Sequence, residues 1–170
     1  MKLLLVLLMC ATSAFAGRFA RWVNNYDQPF QFSCQNHQSI LLISSKHDNR
    51  HEDRVWDFTC KDTFNGHGNC YWSDYVNDFD LPFDYTCPFG SVLSGVNSYH
   101  DNRREDRRFK FYCCSGNVAI NRHCQWSGYM NDFDGLLTWV TPSDHYLAGI
   151  SSYHDNRRED RRFRFYTCQK

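Results

Sequence analysis

HDNRREDRRFKFYCC, running from His100 to Cys114, decides how this chain is read because it occurs three times. It returns as HDNRREDRRFRFYTC from His154 to Cys168, and in looser form as HDNRHEDRVWDFTC from His47 to Cys60. Asp53, Asp106 and Asp160 mark the same point in each copy, 53 and 54 residues apart. A fixed period of that size means one supersecondary unit built three times. The units run over about residues 17–66, 67–120 and 121–170. In each, large residues alternate with polar ones at the strand period of two: Trp56, Phe58 and Cys60; Phe109, Phe111 and Cys113; Phe163, Phe165 and Thr167. Phe30, Phe32 and Cys34, like Phe83, Tyr85 and Cys87, follow the same rule. Short apolar strands, Ile40 to Ile43, Val92 to Val96 and Tyr146 to Ile150, precede the HDNR segments, and clusters such as Asn65-Gly-His-Gly supply turns. The expected fold is all-β, with pseudo-threefold symmetry: a β-prism, or alternatively a β-trefoil.

Ahead of the repeats, Lys2, the apolar run Leu3 to Met9 and Ala14-Phe15-Ala16 read as a secretory signal peptide over residues 1–16. The remaining residues, 17–170, are expected to form a single secreted domain, with no second apolar segment long enough for a membrane span. Without Lys2 there are 18 basic and 19 acidic residues, and a balance so near zero weighs against a nucleic-acid partner. Eight cysteines remain after Cys10 leaves with the signal peptide, which implies four disulfides in a secreted chain. Cys34 and Cys60 are 26 residues apart, as are Cys87 and Cys113, while the third unit has Thr141 and Thr167 at both positions. Half-cystines that vanish together are most simply bonded to each other. Cys70 to Cys114 and Cys124 to Cys168 share a spacing of 44 residues and are expected to form the other two pairs, although Cys113 and Cys114 are neighbours and could exchange partners.

The pattern E-D-R-x-[WF]-x-F-x-C, at Glu52 to Cys60, Glu105 to Cys113 and from Glu159 onward, resembles the D-R-x-W-x-F-x-C signature of dermatopontins. The doublet Cys113-Cys114, and a third unit whose cysteine falls one residue later, resemble that family too. The similarity extends over nearly all of residues 17–170. The short length resembles the invertebrate and haemagglutinin/amoebocyte-aggregation-factor members more than the vertebrate matrix protein. Phe109 and Phe163 depart from the pattern, standing where tryptophan is usual. The unit length is also similar to that of vitelline-membrane outer-layer protein, a three-sheet β-prism.

Several constellations bear on chemistry. The pairs Glu52-Asp53, Glu105-Asp106 and Glu159-Asp160 supply carboxylates, but glycosidase chemistry needs two of them flanking one bond in different environments. Three equivalent copies fit structural pairing better, so Asp53, Arg54, Asp106, Arg107, Asp160 and Arg161 are expected to be structural, and no enzyme is expected. Asp48, Asn49, Glu52 and Asp53 offer oxygens to calcium, against which Arg103, Arg104, Arg107 and Arg108 of the next copy work, so no cofactor is expected. Zinc finds no support, since His47, His100 and His154 belong to different units. Arg103 to Lys110 holds five basic and two acidic residues, and Arg157 to Arg164 repeats that balance, whereas Arg50 to Asp57 has two and three. With Phe109 and Phe111 inward, Arg108 and Lys110 face outward, as do Arg162 and Arg164. Together with Arg103, Arg104, Arg157 and Arg158 they are the expected sites for sulphated or carboxylated glycans. The resemblance implies a secreted, non-catalytic protein. It would bind cell-surface or matrix glycans, glycosaminoglycans or proteoglycans and promote adhesion, aggregation or matrix assembly, or else act as a soluble defence lectin. Oligomer formation is left open.

Overall fold

The computed structural model describes residues 21–170, so the signal-peptide reading lies outside the described residues. Every regular element in that span is a strand. The order is β1 (Phe30–Ser33), β2 (Gln38–Asp48), β3 (Asp53–Asp62), β4 (Asn69–Trp72), β5 (Phe83–Thr86), β6 (Val92–Asp101), β7 (Asp106–Ser115), β8 (Arg122–Trp126), β9 (Leu137–Val140), β10 (Tyr146–Asp155) and β11 (Asp160–Gln169). Each unit contributes one long hairpin: β2–β3, β6–β7 and β10–β11. The strands run further than the apolar segments suggest. His47, His100 and His154 and the aspartates after them belong to β2, β6 and β10, which leaves only residues 49–52, 102–105 and 156–159 as turns. Asp48, Asp101 and Asp155 accept backbone N–H bonds from the turn, as Asp101 does from Arg103 and Arg104 at 2.9 and 3.1 Å.

Three sheets form, and each mixes units. β1 of the first unit pairs with β6 of the second, β5 of the second with β10 of the third, and β9 of the third returns to β2 of the first. The exchange closes in a ring. β4 and β8 flank β7 and β11, giving sheets β1–β6–β7–β4, β5–β10–β11–β8 and β3–β2–β9. A separate sheet for each hairpin is compatible with the prism arrangement. Gly95 and Gly149 sit at the bulges where the exchanged strand crosses; a Cβ there would lie 2.5 Å from the carbonyl oxygens of Phe32 and Tyr85.

The inward faces of all three sheets share one core. On its axis Trp56, Phe109 and Phe163, equivalent residues of the three units, meet edge to face with centroids 5.2–6.0 Å apart. Phe58, Phe111 and Phe165 form the next layer with Ile43, Val96 and Ile150. Asn24, Asn77 and Asn131 stand in for a missing strand partner. Each side-chain amide donates to the carbonyl of Arg54, Arg107 or Arg161 and accepts from the N–H of Trp56, Phe109 or Phe163.

Disulfides join Cys34 to Cys60, Cys87 to Cys113, Cys70 to Cys114 and Cys124 to Cys168. The last two clip β4 onto β7 and β8 onto β11. The first two do something different: each ties the end of an exchanged strand back to its own hairpin, and so crosses between two sheets. The third seam has buried Thr141 and Thr167 instead of a bridge. Its backbone is arranged like the others, with Thr141 N–H donating to Leu41 as Cys34 N–H does to Ser94 and Cys87 N–H to Ala148.

Thr141→Cys with Thr167→Cys should therefore form a fifth disulfide, since the two bridged seams hold their Cα atoms 5.8 and 5.7 Å apart. Closing a loop of this length should raise the unfolding free energy by roughly 3 kcal/mol. Mass spectrometry and denaturant titration read both outcomes; a cross-link that fails to form under oxidising refolding contradicts the equivalence of the seams.

Candidate functional site

Two regions collect the polar residues the repeat supplies. The first lies on the pseudo-threefold axis, where the hairpin turns converge. Arg107 donates through Nε and Nη2 to both carboxylate oxygens of Asp53 in the preceding unit, at 2.6 and 2.7 Å. Arg161 does the same to Asp106 and Arg54 to Asp160, at the same distances, so three buried bidentate pairs close a second ring. Each Nη2 also donates to a backbone carbonyl, that of Gln28, Leu81 or Gly135. Each aspartate accepts a further N–H, from Asp27, Asp80 or Asp134, at 2.8 Å. Those three donors adopt positive φ of 62°, 64° and 61°, the left-handed conformation that Asp tolerates better than most residues.

Beside the ring stand the imidazoles of His47, His100 and His154, with almost fully buried side chains. They lie in different units and no spacing groups them, but strand exchange places each against aspartates of a neighbouring unit. His100 Nδ1 lies 3.7 Å from Asp27 Oδ1, and His154 lies 3.9 Å from both Asp80 and Asp106. His47 comes closer, with Nδ1 3.3 Å from Asp160. Glu52, Glu105 and Glu159 face the same imidazoles at 3.6–3.7 Å from φ of 43–45°. A glutamate at such an angle is strained, where glycine or asparagine would be at ease.

These charges perturb one another. Burial works against ionisation of Asp160, yet contact with His47 and the Arg54 guanidinium overrides it and holds the carboxyl at about 2. For His47, burial alone would depress the imidazole, but the contact with Asp160 and the charges of Asp160 and Asp134 push its pKa up. Burial raises Glu105 and Glu159, with added repulsion from surrounding carboxylates. The axial cavity these groups line has about 20 Å³ of free space, enough for a water and far too little for a sugar ring.

The second region is the outer face of the second and third units, where the expected glycan-binding residues lie. Arg108 and Lys110 sit over the ring of half-exposed Tyr75, at 4.8 and 4.4 Å. Arg162 and Arg164 take the corresponding places over Tyr129 at 5.1 and 5.8 Å, and Arg164 also covers Trp126 at 4.9 Å. The outward arginines do not form an unpaired row. Arg108 bonds the carbonyl of Asn77 and pairs with Asp78; Arg162 bonds Asn131 and pairs with Asp132; Arg164 pairs with Asp84. Arg104 and Arg158 pair with Asp80 and Asp134, while Arg103 and Arg157 stay exposed in the turns. Unit one has Val55 and Asp57 where the later units have two cations. The tyrosines were missed in the sequence, although Tyr75 and Tyr129 both stand two residues before the repeated Asn-Asp and so carried a signal.

The family model described as dermatopontin matches residues 24–170. This chain belongs to the dermatopontin family. It is 46% identical over 167 residues to the hemagglutinin/amebocyte aggregation factor of Limulus polyphemus, covering 97% of this chain and 95% of that one. It is 40% identical over 148 residues to a dermatopontin of Biomphalaria glabrata, covering 87% and 99%. It is 41% identical over 146 residues to Millepora cytotoxin-1 of Millepora dichotoma, covering 86% of this chain and 65% of that protein. No solved structure matches significantly. Among the described residues no helix is long and apolar enough to cross a membrane.

Two measurements test the axial ring. Arg161→Met strands Asp106 as a buried charge without a partner and should cost about 3–5 kcal/mol of stability, whereas Arg103→Met, in an exposed turn, should cost almost nothing. The low pKa of Asp160 contributes stability that is present above the ordinary carboxylate range and lost as pH falls toward about 2. Asp160→Asn should remove that part of the acid sensitivity, read as a shallower fall in stability from pH 5 to pH 2.

Proposed function

We propose that this protein is a secreted, non-catalytic adhesion protein that binds anionic glycans on cell surfaces or in the matrix and brings the bearers of those glycans together. The observation that carries the reading is the doubled outer face: a half-exposed tyrosine with two cations above it, once in unit two and again in unit three. An aromatic face suits the C–H surface of a sugar ring, and guanidinium groups suit sulphate or carboxylate. Lys110, with no ion pair among the described residues, offers a cation directly. The arginines would exchange Asp78, Asp132 and Asp84, all exposed, for the anionic ligand. Two equivalent weak sites on one rigid body turn modest contacts into avidity.

The similarity to a protein named hemagglutinin/amebocyte aggregation factor favours a second form of the same activity, a soluble defence lectin that agglutinates cells or microbes. Deposition in insoluble extracellular material marks the matrix form; agglutination inhibited by free glycan marks the lectin.

Retention on heparin should fall as salt rises, because exposed charge contacts are screened. Replacing Tyr75 and Lys110 with Ser should weaken binding about tenfold per contact worth 1.4 kcal/mol, with little change in melting temperature. The same change at Tyr129 should add to it. Elution of all three variants at the wild-type salt concentration would place glycan binding elsewhere.

A further inference from the structure

We propose that the axial end of the molecule holds two divalent transition-metal sites of zinc type, one formed by Asp27, Asp53 and His100 and the other by Asp80, Asp106 and His154. In each group one ligand atom per residue lies within 4.8 Å of the others. Two atoms bound to one zinc at 2.0–2.1 Å stand about 3.3 Å apart in tetrahedral geometry, so the 3.7 Å between His100 Nδ1 and Asp27 Oδ1 closes with a shift of a few tenths of an ångström.

What points to a ligand is the hydrogen-bond accounting. His100 is almost fully buried, yet neither ring nitrogen has a hydrogen-bond partner among the described residues, and neither has Asp27 Oδ1. His154 Nε2 is in the same state, while its Nδ1 contacts Asn156 Oδ1 at 3.1 Å; both ring nitrogens of His47 and Asp134 Oδ1 in the third copy also have no hydrogen-bond partner among the described residues. Buried polar atoms are rarely left this way in a folded protein. A carboxylate offers roughly four lone-pair positions. On Asp53, Arg107 Nε takes one at Oδ1, and Arg107 Nη2 and the Asp27 N–H take two at Oδ2. Asp106 is filled in the same way by Arg161 and the Asp80 N–H. In both, one position at Oδ1 remains, on the atom the arginine's Nε already shares.

The third copy differs in geometry: its histidine and aspartates do not bring one ligand atom each together as the other two groups do. His47 Nδ1 stands 3.3 Å from Asp160 Oδ1, so the imidazole itself occupies the space beside the last lone pair. In the His154 copy the imidazole stands 3.9 Å from the equivalent Asp106, and in the His100 copy it faces Asp27 at 3.7 Å. In the His100 copy the far nitrogen, Nε2, faces Glu105 at 3.7 Å, longer than a hydrogen bond but on the side from which a carboxylate would orient a metal-bound histidine.

One imidazole nitrogen and two carboxylate oxygens suit an ion of intermediate softness, whereas calcium wants six to eight oxygens. Charge agrees. Arg107 offsets one of the carboxylates Asp27 and Asp53, and Glu105 adds another beside them, so a dication neutralises what is left. Because His100 comes from unit two and both aspartates from unit one, a bound ion would pin two units together at the seam.

The test is calorimetric titration of Zn2+, with Ca2+ in parallel, into the disulfide-bonded, chelator-treated chain. Two Zn2+ per chain and no Ca2+ heat are expected. Asp27→Asn, which keeps the backbone N–H to Asp53, should leave one Zn2+, and Asp27→Asn with Asp80→Asn should leave none. On the unmodified chain, paramagnetic Co2+ should broaden the ring resonances of His100 and His154 before those of exposed His67 and His123, which keeps the test independent of whether a variant folds. No Zn2+ binding, an unchanged stoichiometry in the double variant, or broadening confined to the exposed histidines overturns the assignment.

Discussion

Three guanidinium–carboxylate pairs, Arg107 with Asp53, Arg161 with Asp106 and Arg54 with Asp160, are the interaction on which the rest of the structure depends. Each joins one unit to the one before it, and the last closes on the first. Taking three arginines and three aspartates out of water is expensive, and only good geometry repays it. Here both carboxylate oxygens are engaged, the outer Nη2 meets a carbonyl, and a backbone N–H completes the aspartate. Removing any one member leaves its partner charged and buried. Such a ring does more to fix which unit sits beside which than to add net stability, because the apolar triangle of Trp56, Phe109 and Phe163 beneath it would pack against any aromatic neighbour of the right size.

Strand exchange makes the same statement in backbone form. No unit owns a complete sheet, since β1, β5 and β9 each complete the hairpin of another. The disulfides then divide the labour. Cys34–Cys60 and Cys87–Cys113 cross between sheets, while Cys70–Cys114 and Cys124–Cys168 hold outer strands flat. Among the described residues the sheet built on the first unit's hairpin has three strands, β3–β2–β9, where the other two have four. The symmetry is thus approximate where chemistry is concerned: cations cluster on units two and three, and unit one has Val55 and Asp57 there.

Much of this was legible in the chain. Period, strand alternation and the paired absence of Thr141 and Thr167 from the cysteine pattern lead to an all-β fold with its cystines matched, because each is a local or arithmetic signal. The inward position of Arg107 follows from alternation with Phe109. Its partner does not, since Asp53 lies 54 residues away and every unit offers an equivalent aspartate. Exchange was hidden for the same reason: Phe30-Gln-Phe-Ser says strand without saying whose hairpin it joins. Asp101-Asn102 is turn-like in sequence, but hydrogen bonding to Arg107's strand carries β6 through His100 to Asp101. The outward arginines looked available because Asp78, Asp84 and Asp132 are remote in sequence or belong to another turn.

A platform of this kind presents its outer faces rigidly, and rigidity suits a protein that gathers other molecules through repeated weak contacts. It requires that the three units behave as one body. Native-state hydrogen exchange across the long hairpins measures this directly. The slowest amides of β2–β3, β6–β7 and β10–β11 should open with one common free energy and one common denaturant dependence, even though the disulfides are distributed unevenly. If β2–β3 exchanges through a separate, lower-energy opening while the other hairpins stay protected, the units are independent and the cyclic pairing does not hold the fold together.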